Sequence, residues 1–220
     1  MTIRAKLYAA LAVTVAGLIV TAGVGIAGMS RLGDRFDAVQ QASRAQAVAL
    51  QLKFDVTDFN GWQTAYGYDN GKSRPTFLSS VQRFRSDFAQ ARRQLQRPQE
   101  QNFLDQIETA FTEFMRLDDQ AWAALQRGRA DIVKRLFLGP ELVHFGRAAD
   151  AAQRLAGYEA GRVSVEDKDF KSARHDALRL LIAVSAIAGL LVVILLITAN
   201  DLARAAEGKL AGQTRGPAGT

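Results

Sequence analysis

Trp62 and Tyr66 lie four residues apart, one turn of a helix, with Phe59 a turn before Trp62. On a helix these rings share a face, which could be the apolar floor of a small-molecule pocket or a layer of core. Asn60 and Gln63, with Gly67, follow a neighbouring stripe. Their amides could hydrogen-bond to a ligand, pack against another helix or face water. Apolar surface with a few convergent polar groups is what a small-molecule site requires.

Other chemistry finds little support. The chain has no Cys, so disulfides, thiolate metal sites and Cys nucleophiles are absent together. There is no Gly-rich phosphate loop. The two histidines, His144 and His175, would stand roughly 46 Å apart on one straight helix, too far to share a metal or haem. His144 alone as an axial haem ligand is the alternative to a core or surface histidine. Asp118 and Asp119 are adjacent and so point different ways on a helix. No catalytic residues, metal site or cofactor are expected, and the chain is read as a non-enzyme. Arg92, Arg93 and Arg97 gather where a helix ends, either as favourable C-terminal charge or as an anion site completed by a second subunit.

The elements that must position these residues are helices. Between Ser30 and Arg179 the only prolines are Pro75, Pro98 and Pro140, and each fits a first helical turn, where its missing N–H costs nothing. Between them the apolar period is near 3.5. Helix one carries Leu52, Phe59, Trp62 and Tyr66, with Asp55 and Asp69 at polar steps of the seam. Helix two carries Phe77, Val81, Phe84, Phe88, Ala91 and Leu95. Helix three carries Leu104, Ile107, Phe111, Phe114, Ala121 and Leu125, interrupted by Asp118. Helix four carries Leu142, Phe145, Ala149, Ala152 and Leu155. The pattern predicts an all-α fold, an antiparallel four-helix bundle. The helices are expected at Ser30 to Asn70, Pro75 to Gln96, Pro98 to Gln126 and Pro140 to Asp176, with a turn at Asp69-Asn70-Gly71 and a short helical piece at Asp131 to Phe137.

The 220 residues are 48% hydrophobic and 23% charged, but unevenly. Leu7 to Met29 and Leu180 to Ala199 contain no charged residue. Each meets the requirement of about 20 apolar residues for a transmembrane helix. Arg4 and Lys6 precede the first run, and Arg204, Lys209 and Arg215 follow the second, which fits both termini in the cytoplasm. The first run is read as an uncleaved anchor, with a cleaved signal peptide as the alternative. The expected organisation is a cytoplasmic tail (1–6), a span (7–29), an extracytoplasmic domain (30–179), a second span (180–199) and a largely disordered cytoplasmic tail (200–220). That tail starts helix-like at Asp201 to Leu210 and ends on Gly212, Gly216, Pro217 and Gly219. The net charge of +6 is distributed among acids along helices, so nucleic acid is not expected as a partner.

The stretch Phe54-Asp55-Val56-Thr57-Asp58-Phe59-Asn60-Gly61-Trp62-Gln63-Thr64-Ala65-Tyr66 resembles the sensor region of bacterial methyl-accepting chemotaxis receptors. Leu138-Gly139-Pro140-Glu141 with Phe145 is similar to their entry into the fourth helix. The resemblance implies a four-helix-bundle ligand-binding domain that dimerises and signals by small helix displacements. It also implies a multi-pass protein of the bacterial inner membrane. Such receptors continue after the second span into a signalling part, whereas here only Asn200 to Thr220 follow it. Either the protein works through a separate cytoplasmic or membrane signalling partner, or it is a stand-alone remnant or a truncated gene product.

Rise per residue sets the level of the candidates. Trp62 and Phe145 would each stand roughly 50 Å from their spans, at one level of the bundle. Phe77, Val81 and Trp122 approach the same layer, with Asp118 and His144 close by. The candidate ligand-binding residues are thus Asn60, Trp62, Gln63, Tyr66, Trp122, His144 and Phe145, around a cavity or cleft lined by Trp62 and Tyr66. Expected partners are a second copy of the chain, membrane lipid and a small-molecule ligand. The competing reading is a membrane-anchored helical adaptor without a small-molecule ligand.

Overall fold

The computed structural model describes Ile3–Gln213. Its regular structure is all helical, with no strand among the described residues. Helix α1 spans Ile3–Tyr68, α2 Arg74–Gln94, α3 Pro98–Gln126, α4 Ala130–Leu136 and α5 Leu142–Gln213. A kink at Gly139, within Phe137–Glu141, separates α4 from α5. The helix-like start expected at Asp201 to Leu210 lies inside α5; Gly216, Pro217 and Gly219 lie outside the described residues.

Two prolines sit as expected, Pro98 at the first position of α3 and Pro75 at the second of α2. Pro140 directly follows a non-helical Gly139 (φ −114°, ψ −111°), which kinks the chain, and so stands at the break that leads into α5. The pyrrolidine ring disfavours helical conformation in the residue before it, and Gly139 takes up the break.

The chain forms two compact units, and α1 and α5 contribute to both. One comprises Met1–Phe36 and Asp169–Thr220. In it α1 and α5 each have a stretch long and apolar enough to cross a membrane. Leu18, Ile19, Val20, Leu190, Ile194 and Leu196 are exposed there, as lipid-facing side chains would be. The two helices approach where a Cβ on Gly17 would lie 3.9 Å from Leu191 Cδ1. Phe36 and Phe170 pack with ring centroids 6.1 Å apart beside the Arg35–Asp169 ion pair.

The other unit is Asp37–Lys168. Its core draws on α1, α2, α3 and α5. The contributions differ in kind. Phe59, Phe84, Phe111 and Phe114 meet edge-on or tilted, with centroids 4.5–5.5 Å apart, in a cluster from α1, α2 and α3. α5 instead buries Ala148, Ala151, Ala152 and Ala156 around Leu155, and α1 adds Ala45 and Ala49. Leu142, expected in the seam, is exposed. Ala152 and Leu155 are buried as expected and Phe145 and Ala149 are partly buried, while Ala148, Ala151, Ala156 and Glu159 widen the buried face of α5.

Candidate functional site

The turn between α1 and α2 builds one wall of a buried polar cluster. Asn70 (φ 56°) and Gly71 (φ 90°) reverse the chain in the left-handed region that Asn and Gly tolerate. The Asp69 carboxylate accepts hydrogen bonds from the Ser73 N–H at 3.0 Å and the Ser73 hydroxyl at 2.5 Å, which fixes the start of α2. These bonds hold the Asp69 carboxyl below its usual value. Arg74, the first residue of α2, is thereby turned inward. It is 8% exposed, and its guanidinium lies 4.8 Å from the ring centres of Tyr66 and Phe77 and 5.0 Å from that of Trp122.

Arg74 Nη1 donates to Asp118 Oδ2 at 2.5 Å. The Tyr66 hydroxyl donates to the other oxygen of Asp118, and Gln63 Nε2 donates to Glu141 Oε1 and, at 3.5 Å, to Asp118 Oδ1. Asp118 is fully buried and Glu141 nearly so. The cluster therefore holds two carboxyls and one guanidinium, which pairs with Asp118 while Glu141 is bonded by Gln63 alone, and Glu141 Oε2 has no hydrogen-bond partner. Burial, and next the charge of Asp118, push the Glu141 carboxyl up to about 8. Burial also raises Asp118, against the hydrogen bond of Tyr66 and the charge of Arg74. Tyr66 is raised by burial and by the Asp118 charge, which keeps it the donor.

A second cluster repeats the motif. Arg162 Nη1 lies 2.6 Å from Glu100 Oε1 and 2.7 Å from Glu159 Oε2, and both carboxyls are buried. Glu100 also accepts the Arg97 N–H at 2.9 Å, capping α3. Ionised, Glu159 leaves Oε1 without a partner; protonated, it can donate to Glu100. Burial, and then Glu100, push Glu159 up to about 7. Glu100 and Asp118 are 18 residues apart, as are Glu141 and Glu159, which is five helical turns on each side. Between the two clusters Gln106 accepts from Arg154 at 2.9 Å. Asp55, next to Asp87 of α2, is a further buried carboxyl, pushed up to about 6 mainly by burial.

The structure brings together Gln63, Tyr66 and Trp122 from the predicted set, around Asp118. Asn60 is half-buried and its carbonyl accepts the Thr64 hydroxyl at 2.9 Å. Trp62 is 39% exposed, so it does not line a wall with Tyr66. His144 belongs to a surface groove with Asp105, Glu113, Arg147 and Asp150. Phe145 is half-buried against the core. The space beside the Tyr66 ring, expected to be a cleft, is filled by Phe77, Trp122 and Phe137. Gly67 and Gly71 permit this, because a Cβ on either would collide with Phe137 or Trp122. Arg92, expected at the end of a helix as capping charge or an anion site, bonds Asp105 at 2.5 Å and Glu108 at 2.7 Å.

Arg74 and Glu141 are the residues that sequence reasoning missed. Each flanks a proline, Arg74 before Pro75 and Glu141 after Pro140, where charge reads as a solvated helix end. The signal that could have found them is the interruption of the α3 seam at Asp118, since a buried carboxylate needs partners. The chain matches no family model, and neither a curated protein nor a solved structure is similar to it.

Proposed function

We propose that this chain is a membrane-anchored sensor: an antiparallel four-helix bundle outside the bacterial inner membrane, held by two spans and acting by displacing α5 relative to α1. The observation that carries this reading is the Arg74–Asp118 cluster. It links α1, α2, α3 and the turn leading into α5 through side chains alone. A change in its charge or occupancy would bear directly on both helices that hold the apolar stretches. The resemblance of Phe54 to Tyr66 to chemoreceptor sensor regions points the same way, toward a homodimer working with a separate signalling partner. The filled layer around Tyr66 favours a ligand elsewhere than between Trp62 and Tyr66.

Engineered disulfides test the reading cleanly, because the chain has no cysteine. Gly17→Cys with Leu191→Cys places two thiols where the apolar stretches approach. In membranes, the cross-linking rate of this pair should change when the cluster is altered by Arg74→Met. An adaptor that only anchors would cross-link at the same rate with either residue at position 74.

A further inference from the structure

We propose that protons are the ligand of this unit, one held in each of the carboxyl pairs Glu100–Glu159 and Asp118–Glu141, and that their release loosens α5 from α3. The inference rests on the sensor reading above and names what is sensed.

The argument starts from a charge count. At the first pair Glu159 faces Glu100 of α3 and Arg162 of its own helix, with Arg97 3.9 Å from Glu100 and half exposed. At the second, Glu141 faces Asp118 of α3, Arg74 of α2 and the neutral Gln63 and Tyr66 of α1. Arg74 is held between aromatic rings and also lies 3.9 Å from Asp119. Each pair thus has two buried carboxyls and one guanidinium, buried at Arg74 and partly buried at Arg162. With both carboxyls ionised, each site carries an unbalanced buried negative charge, which low-dielectric surroundings penalise. A proton removes that charge.

The orphaned atoms mark where the proton sits. Glu141 Oε2 and Glu159 Oε1 are sealed from solvent and have no partner in the ionised state. Both belong to the α5 side, while Asp118 and Glu100 on α3 accept the bonds from Arg74, Tyr66, Arg162 and the Arg97 N–H. Glu141 and Glu159, each with an oxygen that no donor reaches, are therefore the members placed to hold the protons. Burial weakens Glu141 and Glu159 as acids, which agrees with this assignment. The equal spacing of 18 residues puts the two protons on one line of contact. Losing them to solvent sets carboxylate against carboxylate at two levels of the same contact, so both push α5 the same way.

The test uses the full chain in lipid nanodiscs. Amide hydrogen exchange across residues 142–162, corrected for the intrinsic pH dependence, should be faster at pH 8 than at pH 5.5, by about ten-fold for each linked proton and pH unit inside the titration window. Glu141→Gln and Glu159→Gln should each remove part of the difference, and the double variant nearly all of it. Equal corrected exchange at the two pH values, or an undiminished response in the double variant, would overturn the proposal. Infrared absorption of protonated carboxyls in the unsubstituted chain decides the matter without any variant. A band at pH 5.5 that fades by pH 8.5 is expected, and its absence at pH 5.5 refutes the assignment. Cross-linking of the Gly17–Leu191 cysteine pair separates the two readings. A rate that, corrected for thiol ionisation, responds to Arg74→Met but not to pH keeps the sensor and rejects the proton as its ligand.

Discussion

Glu100 and Glu159 meet at one guanidinium nitrogen: Arg162 Nη1 lies 2.6 Å from the first and 2.7 Å from the second. Five turns along each helix, Asp118 and Glu141 repeat the relationship around Gln63, with Arg74 as the only buried cation among the described residues there. Buried carboxyls outnumber buried cations at both places, so the stability of this unit is tied to protonation.

Thermodynamic stability should fall as the medium becomes more alkaline. Glu141, Glu159 and Asp55 have folded values of about 8, about 7 and about 6, above reference values of 4.5, 4.5 and 3.8. Below the reference values both states are protonated and stability is fully present. As pH rises through each window the unfolded chain ionises first, and stability drops by about 1.4 kcal/mol per pH unit for each extra proton held by the folded state. Asp69, with a lowered value, acts in the opposite sense at the acid end. Urea denaturation of the full chain at pH 5, 6.5 and 8 should give decreasing midpoints; a midpoint that rises toward pH 8 would contradict the burial of these groups.

Tyr66 and Trp62 should respond very differently to truncation. Tyr66 is fully buried among three rings and a guanidinium, so Tyr66→Ala should lose about 3 to 5 kcal/mol. Trp62 is 39% exposed, and Trp62→Ala should lose about 1 kcal/mol or less. Equal losses in chemical denaturation would place both rings in the core.

Gly71→Ala should destabilise by about 1 to 2 kcal/mol from backbone strain alone, since the residue sits at φ 90°. The added methyl would also press on Trp122. Thermal unfolding with Trp fluorescence reports both effects, and a Gly71→Ala chain with unchanged stability and emission would mean the turn adopts another conformation.

Topology follows from the basic flanks of the two apolar stretches. Reporter fusions at Thr220 and inside Asp69 to Arg74 should report opposite sides of the membrane. The same side for both would rule out the two-span arrangement. Light scattering of the detergent-solubilised chain should give a dimer, and a monomer at every concentration would remove the second copy from the proposal.

The helices were largely legible in the sequence because period and punctuation agreed. α3 begins at Pro98 and ends at Gln126 as expected, and all six seam positions of helix two are buried. On α5 Ala152 and Leu155 are buried as expected, but Leu142 is exposed and Ala148 and Ala151 were missed, because alanine lies on several faces of that helix and apolar spacing alone does not select the buried one. The polar cluster was half legible: Gln63, Tyr66, Trp122 and Asp118 were grouped by level, whereas Arg74 and Glu141 entered through turns. Turn geometry depends on Gly71 and Gly139, whose conformations no hydrophobic period encodes.

The two kinds of core have unequal mechanical character. Interlocked phenylalanine rings across α1, α2 and α3 act as keyed teeth, and any slip would force several rings past one another. The alanine methyls of α5 present shallow relief, with little to climb over. A small axial or rotary slip of α5 is therefore the soft coordinate of this unit, with α2 and α3 serving as its fixed housing. On such a smooth bearing, two carboxyl pairs that each hold a proton would be enough to act as the brake.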